Sequence, residues 1–180
     1  MAELWDLYNE DREKTGQTLE RGKPVPEGRY HMVIHVCVFD DAGRMLIQQR
    51  QPFKEGWSNM WDLTVGGSAV AGDTSRTAAE REVLEELGYT LSLENERPSL
   101  TINFDVGFDD IWCVKREVDI SSLKLQYEEV QAVKWADKEE IFSMIDSRKH
   151  IARGFAYEDN KDIIMDNIRY TQLPVTGQLG

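Results

Sequence analysis

Residues 67–89 read GSAVAGDTSRTAAEREVLEELGY, and this stretch decides the fold. Gly72, Asp73 and Thr74 make a polar loop whose end can cap a helix, through either Asp73 or Thr74. Beyond it Ala78, Ala79, Val83, Leu84 and Leu87 supply apolar surface at helical spacing, and Gly88 supplies a stop. Glu82, Glu85 and Glu86 fall at i, i+3 and i+4, so they leave one face of that helix within reach of a common point. Like charges at this spacing cost a few tenths of a kcal/mol per exposed pair, and more when desolvated. A divalent cation would offset the repulsion, and carboxylate oxygens are the donors that Mg²⁺ and Mn²⁺ prefer. Arg81, four residues before Glu85, is placed to pair with a carboxylate and fix its orientation. The alternative reading is a solvated acidic helix face, ordinary in a chain this charged.

Working outward, residues 30–39 (YHMVIHVCVF) read as a buried strand, the turn at 40–43 follows, and residues 44–50 (RMLIQQR) return as its partner. His31 and His35 share a face of that strand, where packing or hydrogen bonding is the expected role. A loop with Pro52 and Gly56 leads to a short strand over 60–65, closed by Gly66 and Gly67. At the N-terminus, residues 4–9 and 18–21 flank a polar turn and predict a small hairpin. After the helix, strands are expected over 99–106, 110–118 and 130–135. Asp137 then caps a second helix, with Glu140 completing a capping box and Ile141, Phe142 and Ile145 facing inward. One more helix is expected around 162–169. Hairpin-connected strands on both sides of a helix indicate a single α+β domain over 1–180, with an N-terminal hairpin (about 1–28) and a C-terminal helical tail (about 137–180).

The chain has 180 residues, 41% hydrophobic and 30% charged, which suits one soluble domain with a sizeable core. Its 33 acidic against 21 basic residues give a net charge of -12, which argues against nucleic acid and anionic membranes as partners. The same charge repels a phosphate-bearing substrate unless cations screen the site. No apolar run approaches the ~20 residues that span a bilayer, and the acidic N-terminus lacks the layout of a secretory signal. Cys37 and Cys113, far apart in sequence and each within an apolar run, are expected as buried free thiols. These features predict the cytoplasm.

The 67–89 stretch resembles the signature of the Nudix family, in which Gly, five residues, Glu and seven residues precede Arg-Glu-apolar-x-Glu-Glu-x-Gly-apolar. Gly67, Arg81, Glu82, Val83, Glu85, Glu86 and Gly88 match; Asp73 replaces the usual glutamate with a shorter reach, and Tyr89 replaces an aliphatic residue. The resemblance implies a mixed β-sheet sandwiched between helices (α/β/α), and hydrolysis of a nucleoside diphosphate derivative or other small organic diphosphate. It further implies that Glu82, Glu85 and Glu86, with the backbone carbonyl of Gly67 or its neighbour, ligate Mg²⁺, with Mn²⁺ an alternative. Glu128 and Glu129, outside the signature, are candidates for a general base. Arg50, Lys54, Trp57, Trp61, Gly66 and Gly67 are candidate substrate contacts, the tryptophans by stacking. A dimer is a common state in the family.

The N-terminal hairpin, Tyr30-His31, Gln48-Gln49-Arg50 and the Trp57-x-Asn59-x-Trp61 loop look like the branch that includes isopentenyl-diphosphate isomerase. That enzyme needs a Cys-x-His-Pro-like motif before the helix. Here Gly66 and Ser68 stand at the thiol and imidazole positions, so neither can shuttle a proton. Hydrolysis is therefore favoured over isomerisation, and over a silent nucleotide sensor, which has no need of the complete glutamate set.

Overall fold

The computed structural model describes residues 2–147. Nine strands and two helices follow one another: β1 (Leu4–Tyr8), β2 (Lys14–Glu20), β3 (His31–Phe39), β4 (Met45–Arg50), β5 (Trp61–Asp62), β6 (Val65–Ser68), α1 (Ser75–Leu87), β7 (Leu100–Phe104), β8 (Gly107–Lys115), β9 (Val130–Ala136) and α2 (Lys138–Asp146). β1 and β2 form the predicted hairpin as a separate two-stranded sheet. The other seven strands form one mixed sheet, with β3 at its centre. The expected helix around 162–169 and most of the C-terminal tail lie outside the described residues.

One pairing and one strand differ from the sequence reading. β3 and β4 were expected to run as a hairpin, but they share only the Phe39–Met45 register next to the turn. β3 instead pairs in parallel with β8 along its whole length and antiparallel with β6 over Val33–Val36, while β4 turns away to β9 and β5. The edge of β3 that a hairpin would use is taken by β6, which must be there to aim α1. The strand expected over 60–65 is likewise split into β5 and β6, and Gly66 and Gly67 lie within β6 rather than after it.

The period-2 alternation of β3 builds the two sides of the sheet. Ile34, Val36 and Val38 pack against Ala78, Ala79, Val83 and Leu87 of α1. Cys37 and Phe39 face Ile141, Met144 and Ile145 of α2. The result is the predicted helix–sheet–helix sandwich. Cys37 and Cys113 are buried free thiols, as expected, and are direct register neighbours on β3 and β8.

α1 begins at Thr74, whose hydroxyl accepts from the Thr77 backbone N–H, while the Thr77 side chain caps the Thr74 N–H in return. It ends at Gly88 in the left-handed region (φ 64°), whose N–H donates to the Leu84 carbonyl. α2 has only half of the expected capping box. Asp137 accepts from the Glu140 N–H, but the Glu140 carboxylate pairs with Lys134 on β9, because a full charge partner outcompetes a backbone N–H.

Candidate active site

β6 and α1 place the signature residues face to face. A Cβ on Gly67 would lie 2.5 Å from Oε1 of Glu82, so only glycine lets that carboxylate reach the β6 backbone. Gly66 points the other way, where a Cβ would lie 2.5 Å from the ring of His35. The two glycines thus thin the sheet on both faces at the point where the site begins.

Arg81 organises the acids. Its guanidinium donates to Asp73 Oδ2 (3.0 Å), Glu82 Oε1 (3.0 Å), Glu85 Oε2 (3.1 Å) and the Ser68 carbonyl (3.3 Å). The shorter Asp73 therefore still reaches Arg81, because the loop over 69–74 folds back toward the helix. Burial works against the guanidinium charge, but Glu82 and Asp73 outweigh it and hold Arg81 firmly protonated.

Glu86 is the most enclosed of the cluster, at 6% exposure. Burial pushes its carboxyl up to about 8, helped by the charges of Glu82, Glu129 and Asp62 and opposed by the amide of Gln48, which donates to Oε2 at 2.9 Å. Burial also raises Glu82, although Arg81 opposes the shift. Glu85 lies at the solvent edge.

A second rim comes from the turn over 126–129 and the loop over 51–60. The Gln126 N–H donates to the Glu86 carbonyl (2.9 Å), and the Gln51 N–H donates to the Glu129 carbonyl (3.1 Å). Lys54 Nζ meets Glu129 Oε2 at 2.6 Å. Lys54, a candidate phosphate contact, is thus engaged by Glu129, a candidate base, while Glu128 is exposed. Arg50 donates to the Gly56 carbonyl (3.3 Å) and shapes the loop. Trp57 is 44% exposed, whereas Trp61 is half-buried beneath the ammonium of Lys134, 4.6 Å from its ring centre. The site therefore unites Arg81, Glu82, Glu85, Glu86 and the two glycines, with Glu129 and Lys54 beside Glu86 and the two tryptophans farther out on the loop.

Sequence reasoning missed two participants. Gln48 was legible only as a polar residue at the inward parity of an apolar strand, and Asp62 is raised by burial against the opposing charge of His35. Both histidines take the roles expected of them. His35 Nδ1 bonds Asp109 (2.9 Å); burial lowers its pKa, but Asp109 outweighs this and holds the imidazole above its ordinary value. His31 stacks on Trp5 at 4.4 Å.

Among the described residues no three carboxylate, imidazole or thiol groups surround one point, because Arg81 draws Glu82 and Glu85 while Gln48 draws Glu86. The donor chemistry nevertheless fits a hard divalent cation. Glu82 and Glu86 are carboxylates that burial raises above their ordinary range, and a divalent cation would favour their charged forms.

A mixed sheet between helices, with a glycine-bearing strand leading into a helix that carries Arg81, Glu82, Glu85 and Glu86, defines a class of enzyme: the hydrolases of diphosphate bonds. The NUDIX domain pattern matches residues 29–156, and the chain belongs to that family. An uncharacterized Nudix hydrolase of Listeria innocua is 49% identical over 149 residues, covering 83% of this chain and 88% of that protein. The isopentenyl-diphosphate Delta-isomerase of Streptomyces coelicolor is 34% identical over 102 residues, covering 57% of this chain and 52% of its own length. Among solved structures, DR0079 from Deinococcus radiodurans superposes with a TM-score of 0.66 at 22% identity, over 82% of this chain and 91% of that one, and shares the fold.

Proposed function

We propose that this enzyme is a Mg²⁺-dependent hydrolase that cleaves the diphosphate linkage of a nucleoside diphosphate derivative or other small organic diphosphate. The observation that carries the reading is the enclosed pair Glu82 and Glu86, both raised by burial and braced by Arg81 and Gln48. Glu82, Glu85, Glu86 and the backbone of Gly67 would hold the metal, with Mn²⁺ able to substitute. Bound there, the metal supplies positive charge to the phosphoryl oxygens and acidifies the attacking water.

The chain's own residues do the rest. Arg81 fixes the orientation of Glu82 and Glu85 through one bond to each, and Asp73 anchors Arg81 through two. Glu86 must give up its proton before it can serve as a ligand. Glu129, held at 2.6 Å by Lys54, accepts the proton of the attacking water. The water oxygen bonds to phosphorus, the bridging P–O bond breaks, and the leaving phosphate keeps the electron pair. Lys54 and Arg50 line the side from which the phosphates approach, Gly67 lets Glu82 and with it the substrate phosphates come close to β6, Gly66 makes room for His35 behind the same strand, and Trp57 and Trp61 border the remainder of the substrate.

We propose a cytoplasmic homodimer. Separately, no helix among the described residues is long and apolar enough to cross a membrane. The test is product analysis with Mg²⁺ against nucleoside diphosphates, nucleotide sugars, dinucleotides and isoprenyl diphosphates, using Glu86→Gln as the blank. Cleavage of one class, reduced by orders of magnitude in the variant, is the expected result. Double-bond migration without phosphate release would overturn it in favour of an isomerase, and wild-type turnover in Glu86→Gln would remove the assigned role.

A further inference from the structure

At the start of α1, apart from the glutamates, lies a surface cavity of about 480 Å³. Ser75 and Glu82, the first glutamate of the cluster, are seven residues apart on one helix, which separates cavity and cluster by about 10 Å along the axis. Three arginines, Arg12, Arg76 and Arg97, line this cavity in a chain whose net charge is -12. The two acids in its wall are already engaged. Asp110, 1% exposed, accepts from Arg12 (2.7 Å) and from the Thr101 hydroxyl (2.6 Å), and Glu96 pairs with Arg116. Arg76 and Arg97 have no ion-pair partner among the described residues.

Of the three arginines, Arg12 is held in place. Arg12 adopts a left-handed backbone (φ 63°), costly for a residue with a Cβ, and its guanidinium is fixed by Thr101, Asp110 and the face of Phe108 at 5.1 Å. Arg76 stands in the first turn of α1, where the helix dipole disfavours a cation and no acidic residue offsets it. Ser75 Oγ accepts from Trp112 Nε1 at 3.1 Å, which leaves the hydroxyl proton free to donate into the cavity. Unpaired guanidinium forks together with a hydroxyl donor match the oxygens of a multiply charged tetrahedral anion.

We propose that the cavity lined by Arg12, Arg76 and Arg97 is a second binding site, distinct from the glutamate cluster, for a phosphoryl anion, either free or carried by a nucleotide. It does not depend on the diphosphate reading of the first site. The experiment is calorimetric titration of the metal-free full chain with inorganic phosphate, pyrophosphate and a nucleoside 5′-monophosphate, at two salt concentrations. Without metal the glutamate cluster repels all three, and loss of binding in the Arg76→Glu, Arg97→Glu double variant separates the cavity from Lys54 and Arg50 beside the first site. We expect one site whose affinity falls with salt and drops at least tenfold in the Arg76→Glu, Arg97→Glu double variant. Tighter binding of phosphate or pyrophosphate assigns the free anion, and tighter binding of the nucleotide assigns the carried one. Both arginines are exposed, so charge reversal leaves the core intact. Amide NMR of the unmodified chain gives an independent readout, with shifts at Ser75 and Arg76 expected. Failure of all three probes to saturate, equal affinity in the double variant, or shifts confined to other regions would each overturn the proposal.

Discussion

At the scale of single residues, the site is governed by carboxylates denied the solvent that normally keeps them charged. Burial holds Glu86 at about 8, well above the ordinary carboxylate value of 4.5. An acid raised in this way keeps its proton on folding. Its burden on stability is therefore absent below about pH 4.5, grows through the window, and is complete above about 8. Metal-free Glu86→Gln should accordingly melt like the unmodified chain near pH 4.5 and at a higher temperature near pH 8; equal melting at both would mean that Glu86 is not enclosed as described. If Glu86 ligates Mg²⁺ as proposed, uptake of the metal over the same window expels the Glu86 proton. Gln48 opposes the upward shift by donating at 2.9 Å. Replacing it with leucine removes the one amide that favours the charged carboxylate, and we expect the Mg²⁺ concentration for half-maximal activity to rise about 10-fold or more, as for other residues that orient a metal ligand. A Gln48→Leu enzyme with an unchanged Mg²⁺ requirement would show that the bond positions nothing.

At the scale of elements, two glycines bracket the site and should fail differently. Gly88 closes α1 at φ 64°, and a Cβ there would lie 2.8 Å from Cβ of Lys124. Gly88→Ala should lower stability by about 1 kcal/mol or more while leaving the Mg²⁺ requirement intact. Gly67→Ala drives its Cβ into the Glu82 carboxylate instead. It should abolish most turnover with a smaller loss of stability, as thermal melts and initial rates together would show. α1 was legible in the sequence because its stripe, caps and glutamates are all local: a helix displays its neighbours at i+3 and i+4. Sheet pairing is not local. β3 lies against β8 in parallel across a gap of more than sixty residues, so nothing in the spacing announced that Cys37 would face Cys113 or His35 would meet Asp109. The β3–β4 turn was read correctly and its pairing wrongly, because a turn fixes where strands begin and not which edge they keep. Gln48 joined the site by the same route, through a strand whose place is set by β9 and β5.

At the scale of the whole molecule, the hairpin before the NUDIX match is joined to the catalytic helix. The Ala71 N–H donates to the Leu4 carbonyl (2.7 Å), the Gly72 N–H to Asp6 Oδ2 (2.8 Å), and Lys14 Nζ to the Asp73 carbonyl (2.7 Å) and to Asp6 (2.6 Å). These bonds hold the loop that carries Asp73, Asp73 holds Arg81, and Arg81 holds Glu82 and Glu85. Asp6 thus stands at the far end of a continuous polar chain that reaches the glutamates without touching them. Asp6→Ala leaves the Gly72 N–H without its acceptor and Lys14 with the Asp73 carbonyl alone, at a cost of about 1 kcal/mol in stability. If the chain transmits position, kcat should fall several-fold with KM little changed, since the carboxylates are misaligned while the substrate contacts remain. Arg21→Ala is the control: it breaks the exposed pair with Glu3 in the same hairpin but bears no part of the loop, so both kcat and KM should hold. An Asp6→Ala enzyme with normal kcat would reduce the hairpin to a cover that buries Leu7 and Tyr8. A fall in kcat confined to Asp6→Ala would make it a working extension of the active site, built outside the segment that defines the family.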